Sequence, residues 1–253
     1  MTLAFARFLQ SLALAAALAT PLASARALVG AKPDGRFADR VAMVLIRGGD
    51  KAGFCSALVL GPRILLTAAH CLRPLRDMAV YYRDANGAAV IIPVAAAIAH
   101  PGYRADAIQA RALSIDLALV RTARPLAPRF AAAAIADGRA PPIGAPAIVS
   151  GYGAAREGDW SSGGILRSVT LAVREPASHV LIWAADPSGR PAGACSGDSG
   201  APIWSADGST AIAIVAWAQA PHGRGCGGLT QGPLLAPLRG WIGETKRALE
   251  LGE

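Results

Sequence analysis

Three short stretches of the sequence carry side chains that could together do nucleophilic chemistry. His70 follows an apolar run in the stretch TAAHC, Asp116 opens the run DLALV, and Ser199 lies between glycines in the stretch GDSGAP. A serine hydroxyl is a poor nucleophile at neutral pH and needs an adjacent base, which a histidine can supply. A carboxylate bonded to the far imidazole nitrogen would fix the tautomer of that base. Taken singly, these residues are more often a packed histidine, a turn acid and a loop hydroxyl, so only their combination indicates acyl-transfer chemistry.

The elements that must position these residues are predicted to be mostly strands. Short apolar runs fenced by Gly, Pro, Asp and Asn are typical of strands in barrels or sandwiches, although the high alanine content favours helix. The runs cover 41–46, 54–60, 64–68, 78–82, 89–98, 117–120, 147–149, 166–173, 180–183, 203–204 and 211–217. One helix is predicted from Leu238, because Trp241, Ile242, Thr245 and Leu249 follow helical spacing after Pro237. The proline-rich stretch 124–146 is the best candidate for a linker between two similar halves.

Composition excludes several classes of protein. The chain has 253 residues, 53% hydrophobic and 17% charged, which excludes a disordered solvating chain. Its 28 glycines and 18 prolines show no collagen period. Aromatic residues make up 6%, and no run of Lys or Arg exceeds two despite a net charge of +8. We therefore expect a solvated basic surface and no nucleic-acid partner, because nucleic-acid binding needs clustered charge.

Residues 1–27 have the features of a secretory signal peptide. Arg7 precedes the apolar run 8–19, and Ala25-Arg26-Ala27 places small residues where a signal peptidase needs them. An anchored N-terminal helix is the alternative, but the apolar run is short for a bilayer span. Removing these residues leaves 226 and a net charge of +6. No later run of 18 apolar residues is free of charge or proline, so we expect a soluble exported protein without a membrane partner.

The four cysteines, Cys55, Cys71, Cys195 and Cys226, suit an exported protein. An even number in such a chain indicates two disulfides, for which three pairings are possible. A zinc site would need closely spaced CxxC or HxxxH pairs, and the sequence has none.

In their order His, Asp, Ser, the three stretches resemble the chymotrypsin-like (trypsin-fold) serine protease family. The resemblance extends along the chain through the stretches LVGA (28–31), AHPGY (99–103), SGYG (150–153) and AWA (216–218). It implies an all-β fold of two six-stranded antiparallel Greek-key β-barrels with a C-terminal α-helix. The implied division is 28–134 for the first barrel with part of the linker, and 135–253 for the second barrel and helix.

The resemblance also implies a role for each site residue. His70 is the general base, Asp116 its orienting carboxylate and Ser199 the nucleophile, while the backbone amides of Gly197 and Ser199 form the oxyanion hole. The implied disulfides are Cys55–Cys71 and Cys195–Cys226. No cofactor and no metal are expected. Ala216 stands where most relatives carry a serine that supports the aspartate, so Asp116 is expected to lose one hydrogen-bond donor.

Asp198 is implied to pair with the freed amino group of residue 28 and so to hold the oxyanion turn in shape. Because Ala25-Arg26-Ala27 directly precedes Leu28, we expect signal cleavage itself to release the active amino terminus. Cleavage after Arg26 is the competing possibility, and it would leave one extra residue that spoils the pairing.

The substrate pocket can be placed only by alignment to the family. Gly193 occupies the pocket floor, Gly228 and Ala218 line its two walls, and Ala216, Trp217 and Ala218 resemble the substrate-binding strand. Trypsin-like enzymes carry an aspartate on the floor to pair with Lys or Arg, which Gly193 cannot do. The expected preference is for a small or medium apolar residue before the cut.

The sequence thus predicts a secreted or periplasmic serine endopeptidase that acts on proteins or peptides through an acyl-enzyme, as a monomer. One rival is a protease-fold binding protein that has lost catalysis, for which Ala216 is a mild argument. A second rival is an esterase with the same triad.

Overall fold

The computed structural model describes residues 28–48, 51–110, 112–221 and 223–252. The predicted signal peptide, residues 1–27, lies outside the described residues. Within those ranges, no helix is long and apolar enough to cross a lipid bilayer.

The first half of the chain forms a closed six-stranded barrel, preceded by the two-residue strand β1 (Lys32–Pro33). Its strands are paired antiparallel in the order β2-β3-β4-β7-β6-β5. They are β2 (Val41–Gly48), β3 (Lys51–Val59), β4 (Ile64–Thr67), β5 (Met78–Arg83), β6 (Ala89–Ala99) and β7 (Ala118–Thr122). The short helix α1 (Ala107–Ala110) lies in the loop between β6 and β7.

The barrel closes because its strands carry an apolar inner face. Residues of β5 alternate between buried and partly exposed positions, whereas all four residues of β4 are buried. Val44, Ala57, Leu65, Val80 and Val120 come from five different strands and share one buried cluster. Burial of this kind is the main favourable contribution to folding. It also fixes β4, which precedes the predicted His70, against β7, which follows the predicted Asp116.

The second half forms a nine-stranded sheet in the order β14-β15-β11-β10-β9-β12-β13-β8, with β1 paired to β10. Its strands are β8 (Ala134–Ile135), β9 (Pro146–Gly151), β10 (Arg167–Arg174), β11 (Leu181–Ala185), β12 (Pro202–Trp204), β13 (Thr210–Ile214), β14 (Trp217–Gln219) and β15 (Leu229–Pro233). A bridge between Ala213 and Leu234 brings β13 back to the end of β15. The longer strands of this sheet therefore curl round on themselves.

The chain ends in helix α2 (Arg239–Leu251), which follows a 3₁₀ turn at Ala236–Leu238. Ile242, Thr245 and Leu249 are buried. Ile242 and Leu249 share a cluster with Leu66 and Leu119 of the first barrel. The C-terminal helix therefore packs against the first barrel, although it follows the second sheet in the sequence.

The predicted fold class is confirmed: the protein is mostly β, with a closed six-stranded barrel, a second sheet and one C-terminal helix. Details of the second sheet differ from the prediction. The short strands β1, β8 and β14 extend it to nine, and β8 pairs parallel to β13. The run 211–217 divides into β13 and β14, because the amide of Val215 bonds to Ala201 and that of Ala216 bonds to Gln231. The division of the chain at residues 134 and 135 stays a prediction.

The two halves share a core that holds the site between them. Phe37 stacks on Trp204 with ring centroids 4.8 Å apart, and both belong to a cluster that includes residues of the barrel and of the sheet. Trp204 Nε1 donates to Ser150 Oγ at 2.7 Å. This shared cluster therefore fixes the position of the first barrel relative to the second sheet.

Two disulfides link the four cysteines as Cys55–Cys71 and Cys195–Cys226. The first joins β3 to the turn after β4, with 16 residues of sequence separation and a Cα–Cα distance of 6.4 Å. Replacing Cys55 and Cys71 together with alanine is expected to lower the free energy of unfolding by about 3 kcal/mol, because the unfolded chain gains freedom. Urea unfolding of the double variant against the wild type measures this loss. A loss below about 0.5 kcal/mol would contradict the prediction.

Candidate active site

His70 lies in a single 3₁₀ turn, Ala69–Cys71, directly after β4. The buried residues Ala69 and Cys71 flank it, and the disulfide from Cys71 to Cys55 anchors the turn to β3. The His70 side chain is 38% exposed, so one edge of the imidazole is open to an incoming molecule.

Asp116 lies two residues before β7, next to the buried Leu117. Because β7 pairs with β4, Asp116 comes alongside the His70 turn. Its Oδ2 lies 2.6 Å from His70 Nδ1, and its Oδ1 accepts a hydrogen bond from the His70 backbone amide at 2.9 Å. The carboxylate therefore holds both the ring and the backbone of His70. Burial, together with the charge of Asp116, raises the pKa of the nearby Tyr103.

Ser199 lies in a tight turn before β12, with its Oγ 2.8 Å from His70 Nε2. The turn is closed by bonds from the Asp198 amide to Cys195 O at 2.9 Å and from the Ala201 amide to Asp198 O at 2.8 Å. Gly200 adopts a φ of +82°, and a Cβ there would overlap the carbonyl oxygen of Ser56. Only glycine fits this position, because the turn is pressed against β3.

Asp116, His70 and Ser199 thus form one continuous hydrogen-bonded series. In the sequence, His70 lies 46 residues from Asp116 and 129 residues from Ser199. With Nδ1 donating to Asp116, Nε2 is free to accept the Ser199 proton. This arrangement can activate the hydroxyl as a nucleophile.

Asp198 is fully buried beside the Ser199 turn. Its Oδ1 accepts from the Gly153 amide at 2.8 Å and its Oδ2 from the Cys195 amide at 3.0 Å. A Cβ at Gly151 or Gly153 would overlap this carboxyl group, so both glycines make room for it. Burial raises the pKa of Asp198 to about 7. The hydrogen bonds from the two backbone amides and the charge of Arg167 act in the opposite direction.

Leu28, the residue predicted to pair with Asp198, is buried in the core of the second sheet. In the 253-residue chain its nitrogen is an amide that follows Ala27, so it carries no charge for Asp198. The next residue, Val29, accepts a hydrogen bond through its oxygen from the Gly193 amide at 3.0 Å. The segment that starts at Leu28 is therefore docked beside the predicted pocket.

Gly197, the predicted oxyanion-hole residue, has a φ of +95° and packs beneath the ring of Phe54. A Cβ at Gly197 would overlap that ring. Its carbonyl oxygen accepts a hydrogen bond from Ser56 Oγ at 3.0 Å. The backbone of the turn is thus held from the β3 side.

The predicted pocket residues come together between β14, β15 and the segment before Ser199. Gly193 has a φ of +151°, and a Cβ there would lie 2.9 Å from Thr230 Oγ1 and 3.0 Å from the Gly228 oxygen. Ala218 is the cross-strand partner of Thr230, and Trp217 that of Gln231. The Ala216 amide bonds to Gln231 O at 2.9 Å.

The family model described as Trypsin matches residues 32–232. The chain belongs to the trypsin family. Trypsin alpha-4 of Lucilia cuprina is 30% identical over 208 residues, covering 74% of this chain and 76% of that protein. Trypsin delta of Drosophila erecta is 28% identical over 208 residues, covering 74% and 77%. The solved structure titled "Structure of GrC" superposes with a TM-score of 0.70 at 22% identity, covering 87% of this chain and 99% of that one.

Three residues near the site of this trypsin-family chain were missed by the sequence analysis. Ser56 is buried against the Ser199 turn, Arg167 is 2% exposed and acts on Asp198, and Thr230 lies beside the Gly193 floor. Ser56 interrupts an apolar strand, and Arg167 opens another, so a polar residue within an apolar run was the available signal. Burial lowers the pKa of Arg167, while Asp198 raises it.

One group of possible metal ligands lies in the described part of the chain. Cys55, His70 and Cys71 place their ligand atoms within 4.8 Å of one another. Both cysteines are joined in a disulfide, so neither offers the thiolate that binds a metal. The donor set therefore does not suit a metal ion.

The raised pKa of Asp198 predicts how stability depends on pH while residue 28 is internal. Because the folded state holds the Asp198 proton more tightly than the unfolded state, the contribution of Asp198 to the free energy of unfolding should fall between about pH 4 and pH 7. Burial lowers the pKa of His100, whose contribution opposes this decline. The slope is at most about 1.4 kcal/mol per pH unit. Asp34 and Asp207, whose pKa values are lowered to about 2 by hydrogen bonds led by Arg36 and Ser205, titrate below this window.

Urea unfolding of the uncleaved chain across that window measures the slope. The Asp198→Asn variant should lose most of the decline, whatever its absolute stability. Equal slopes for the wild type and the variant would show that Asp198 does not titrate there.

Proposed function

We propose that this trypsin-family chain is a serine endopeptidase in which Ser199 is the nucleophile, His70 the general base and Asp116 the orienting carboxylate. The observation that carries the proposal is the hydrogen-bonded series from Asp116 through His70 Nδ1 and Nε2 to Ser199 Oγ, with distances of 2.6 and 2.8 Å. A hydroxyl, a base and an orienting acid in contact are what nucleophilic acyl transfer needs.

The proposed reaction has two halves. Ser199 Oγ attacks the carbonyl carbon of the scissile peptide while its proton passes to His70 Nε2. His70 then gives that proton to the leaving amine, and an ester between Ser199 and the acyl group remains. Water attacks this ester in the second half, with His70 again acting first as base and then as acid.

The amides of Gly197 and Ser199 are proposed to stabilise the oxyanion that forms in each half. The positive φ of Gly197 and the bonds that close the turn at Asp198 and Ala201 support this role. Such donors are worth about 2.7–4 kcal/mol each, because they are already oriented when the charge develops.

Covalent labelling of Ser199 by a fluorophosphonate tests the proposal against its first rival, a protein that binds substrates without catalysis. We expect stoichiometric labelling of the chain that begins at Leu28, located on Ser199 by peptide mass mapping. A His70→Ala variant is the control, because it keeps the hydroxyl and removes its base. No labelling of the folded wild type would refute the proposed function.

The proposed substrates have a small or medium apolar residue before the scissile bond. Gly193 offers no carboxylate to an arginine or lysine side chain, and Ala218 narrows the pocket where a glycine would leave more room. A matched series of peptide amides ending in Ala, Val, Leu, Phe and Arg measures this preference through kcat/KM. We expect at least about tenfold lower kcat/KM for Arg than for the best apolar residue. A preference for Arg would overturn this assignment. Comparing kcat/KM for these amides with kcat/KM for the matching esters separates a peptidase from an esterase.

We also propose that export and activation are one event. Cleavage after Ala27 would free the amine of Leu28, whose burial beside the Gly193 segment suits a role inside the protein. The freed ammonium would then pair with the buried Asp198 and keep it ionised, which is the form an opposite charge favours.

The disulfides suit a secreted or periplasmic location, where such bonds persist. The monomeric state and the lack of nucleic-acid and membrane partners remain part of this proposal.

Edman sequencing of the exported protein should give Leu-Val-Gly at the amino terminus. In this form the decline of stability between about pH 4 and pH 7 should disappear, because the amine keeps the pKa of Asp198 low. A sequence starting with Ala27, or the same pH slope in both forms, would contradict the proposed activation.

A further inference from the structure

Ser56 is a buried hydroxyl in the middle of β3 that the proposed mechanism leaves without a role. It has no solvent exposure. Its Oγ accepts a hydrogen bond from the Tyr152 amide at 3.0 Å and donates one to the Gly197 carbonyl oxygen at 3.0 Å. One hydroxyl thus connects the first barrel to the chain after β9 and to the turn before Ser199.

The backbone of Ser56 contacts the same turn. Its amide donates to the Ser199 carbonyl oxygen at 2.8 Å, and its own carbonyl accepts from Thr67 Oγ1 at 2.8 Å. Ser56 therefore binds the carbonyl oxygens of both residues whose amides are the proposed oxyanion donors. Thr67 is the last residue of β4 and lies three residues before His70, so the same contacts also reach the strand that precedes the base.

The orientation of Gly197 depends on contacts from outside the residue. Glycine has no side chain to restrict its backbone, and its φ of +95° is one of several that it can adopt. Phe54 packs against one side of Gly197, and the bond from Ser56 holds its carbonyl. Because the oxyanion needs its donors within about 2.7–3.1 Å, a small shift of the Gly197 Cα, which the held carbonyl helps to fix, changes the alignment of the Gly197 amide.

We propose that Ser56 is a positioning residue for the oxyanion hole. By holding the carbonyl oxygens of Gly197 and Ser199, which belong to the peptides that follow the two donor amides, it limits how far the turn that carries those amides can shift. It therefore acts mainly on the transition state and little on bound substrate. This inference rests on the proposed function, because the oxyanion forms only if Ser199 attacks a carbonyl.

Ser56→Ala is the test, with Ser150→Ala as its matched control. Ser150 is also a fully buried serine, and its hydroxyl accepts a hydrogen bond from Trp204 Nε1 in β12 at 2.7 Å rather than bonding to Gly197. For the mature protein, Ser56→Ala should lower kcat by about 10- to 100-fold and change KM by less than about threefold. Ser150→Ala should keep kcat within about twofold of the wild type, even where it costs as much stability.

A peptide trifluoromethyl ketone gives a second readout, because it forms an oxyanion on Ser199 without turnover. Its dissociation constant for Ser56→Ala should rise by about the same factor by which kcat falls. If Ser56→Ala does not fold, Ser56→Cys keeps a weaker and longer hydrogen-bonding group, and the same measurements on it should show a smaller loss in kcat and in ketone affinity.

The outcomes separate this inference from the proposed function. A wild type that neither hydrolyses peptides nor labels at Ser199 refutes the proposed function, and the role of Ser56 with it. An active wild type whose Ser56→Ala variant keeps its kcat, or changes KM alone, overturns only the role of Ser56. An equal loss of kcat in Ser150→Ala would likewise show that buried hydroxyls act through general stability.

Discussion

Replacing Ser199 with alanine is expected to lower kcat for a peptide substrate by about 10⁶-fold, the size of this effect in an unrelated serine protease. The change removes only Oγ, which lies 2.8 Å from His70 Nε2. The backbone amide of residue 199 and the bonds that close the turn remain, so substrate binding should change little. The measurement is kcat on peptide and ester substrates, with urea unfolding to show that stability is preserved.

The double variant Ser199→Ala/His70→Ala is the control for this prediction. The effects on kcat of residues that act as one unit are not additive. Removing His70 as well should therefore lower kcat by less than about another tenfold. Residual hydrolysis above about 1% in Ser199→Ala would show that another group attacks the carbonyl. Losses that multiply in the double variant would show that His70 and Ser199 act independently.

Much of the fold was predictable because most of its strands have a local sequence pattern. The run at 64–68 became β4 (Ile64–Thr67), and the helix expected from Leu238 became α2 (Arg239–Leu251). Both are short apolar patterns bounded by turn residues or proline. Strand β15 (Leu229–Pro233) was missed, because Thr230 and Gln231 make it partly polar and its partner β11 is distant in sequence. Pairing with β11 and β14, which supplies its backbone hydrogen bonds, is invisible in a single stretch of sequence.

The three reacting side chains of the site were predictable from the sequence, but the contacts that hold them in place were not. The order of His70, Asp116 and Ser199 identified the three side chains that the structure brings into contact. The contacts that hold these side chains and the Ser199 turn come from residues that belong to no recognisable sequence motif. Ser56 reaches Gly197 across 141 positions of sequence, and Arg167 affects Asp198 only because both are buried on the same side of the second sheet.

The placement of Arg167 follows from strand register. Arg167 in β10 is the cross-strand partner of Gly151 in β9, and directly opposed residues in an antiparallel pair share one face of the sheet. Gly151 has no side chain, and the Asp198 carboxyl group occupies the space where its Cβ would lie. An arginine therefore comes near a buried carboxylate without any local sequence signal.

Asp116→Asn should lower kcat by about 10⁴-fold, the size of this substitution in an established serine protease, while the fold stays intact. The Asp116 carboxylate accepts two hydrogen bonds from His70, one from Nδ1 at 2.6 Å and one from the backbone amide at 2.9 Å. Asparagine has one carbonyl oxygen for these two donors. If that oxygen takes the backbone amide, the NH₂ group faces Nδ1 and forces the ring to carry its proton on Nε2.

In that tautomer His70 cannot accept the Ser199 proton, although all three side chains keep their positions. Asp106→Asn is the matched control: it makes the same change of charge in the same inter-strand segment, at an exposed acid paired with Arg104. It should keep kcat within about twofold. If Asp116→Asn retains more than about a tenth of kcat, the prediction is wrong. The imidazole would then reach its reactive tautomer without a carboxylate at this position.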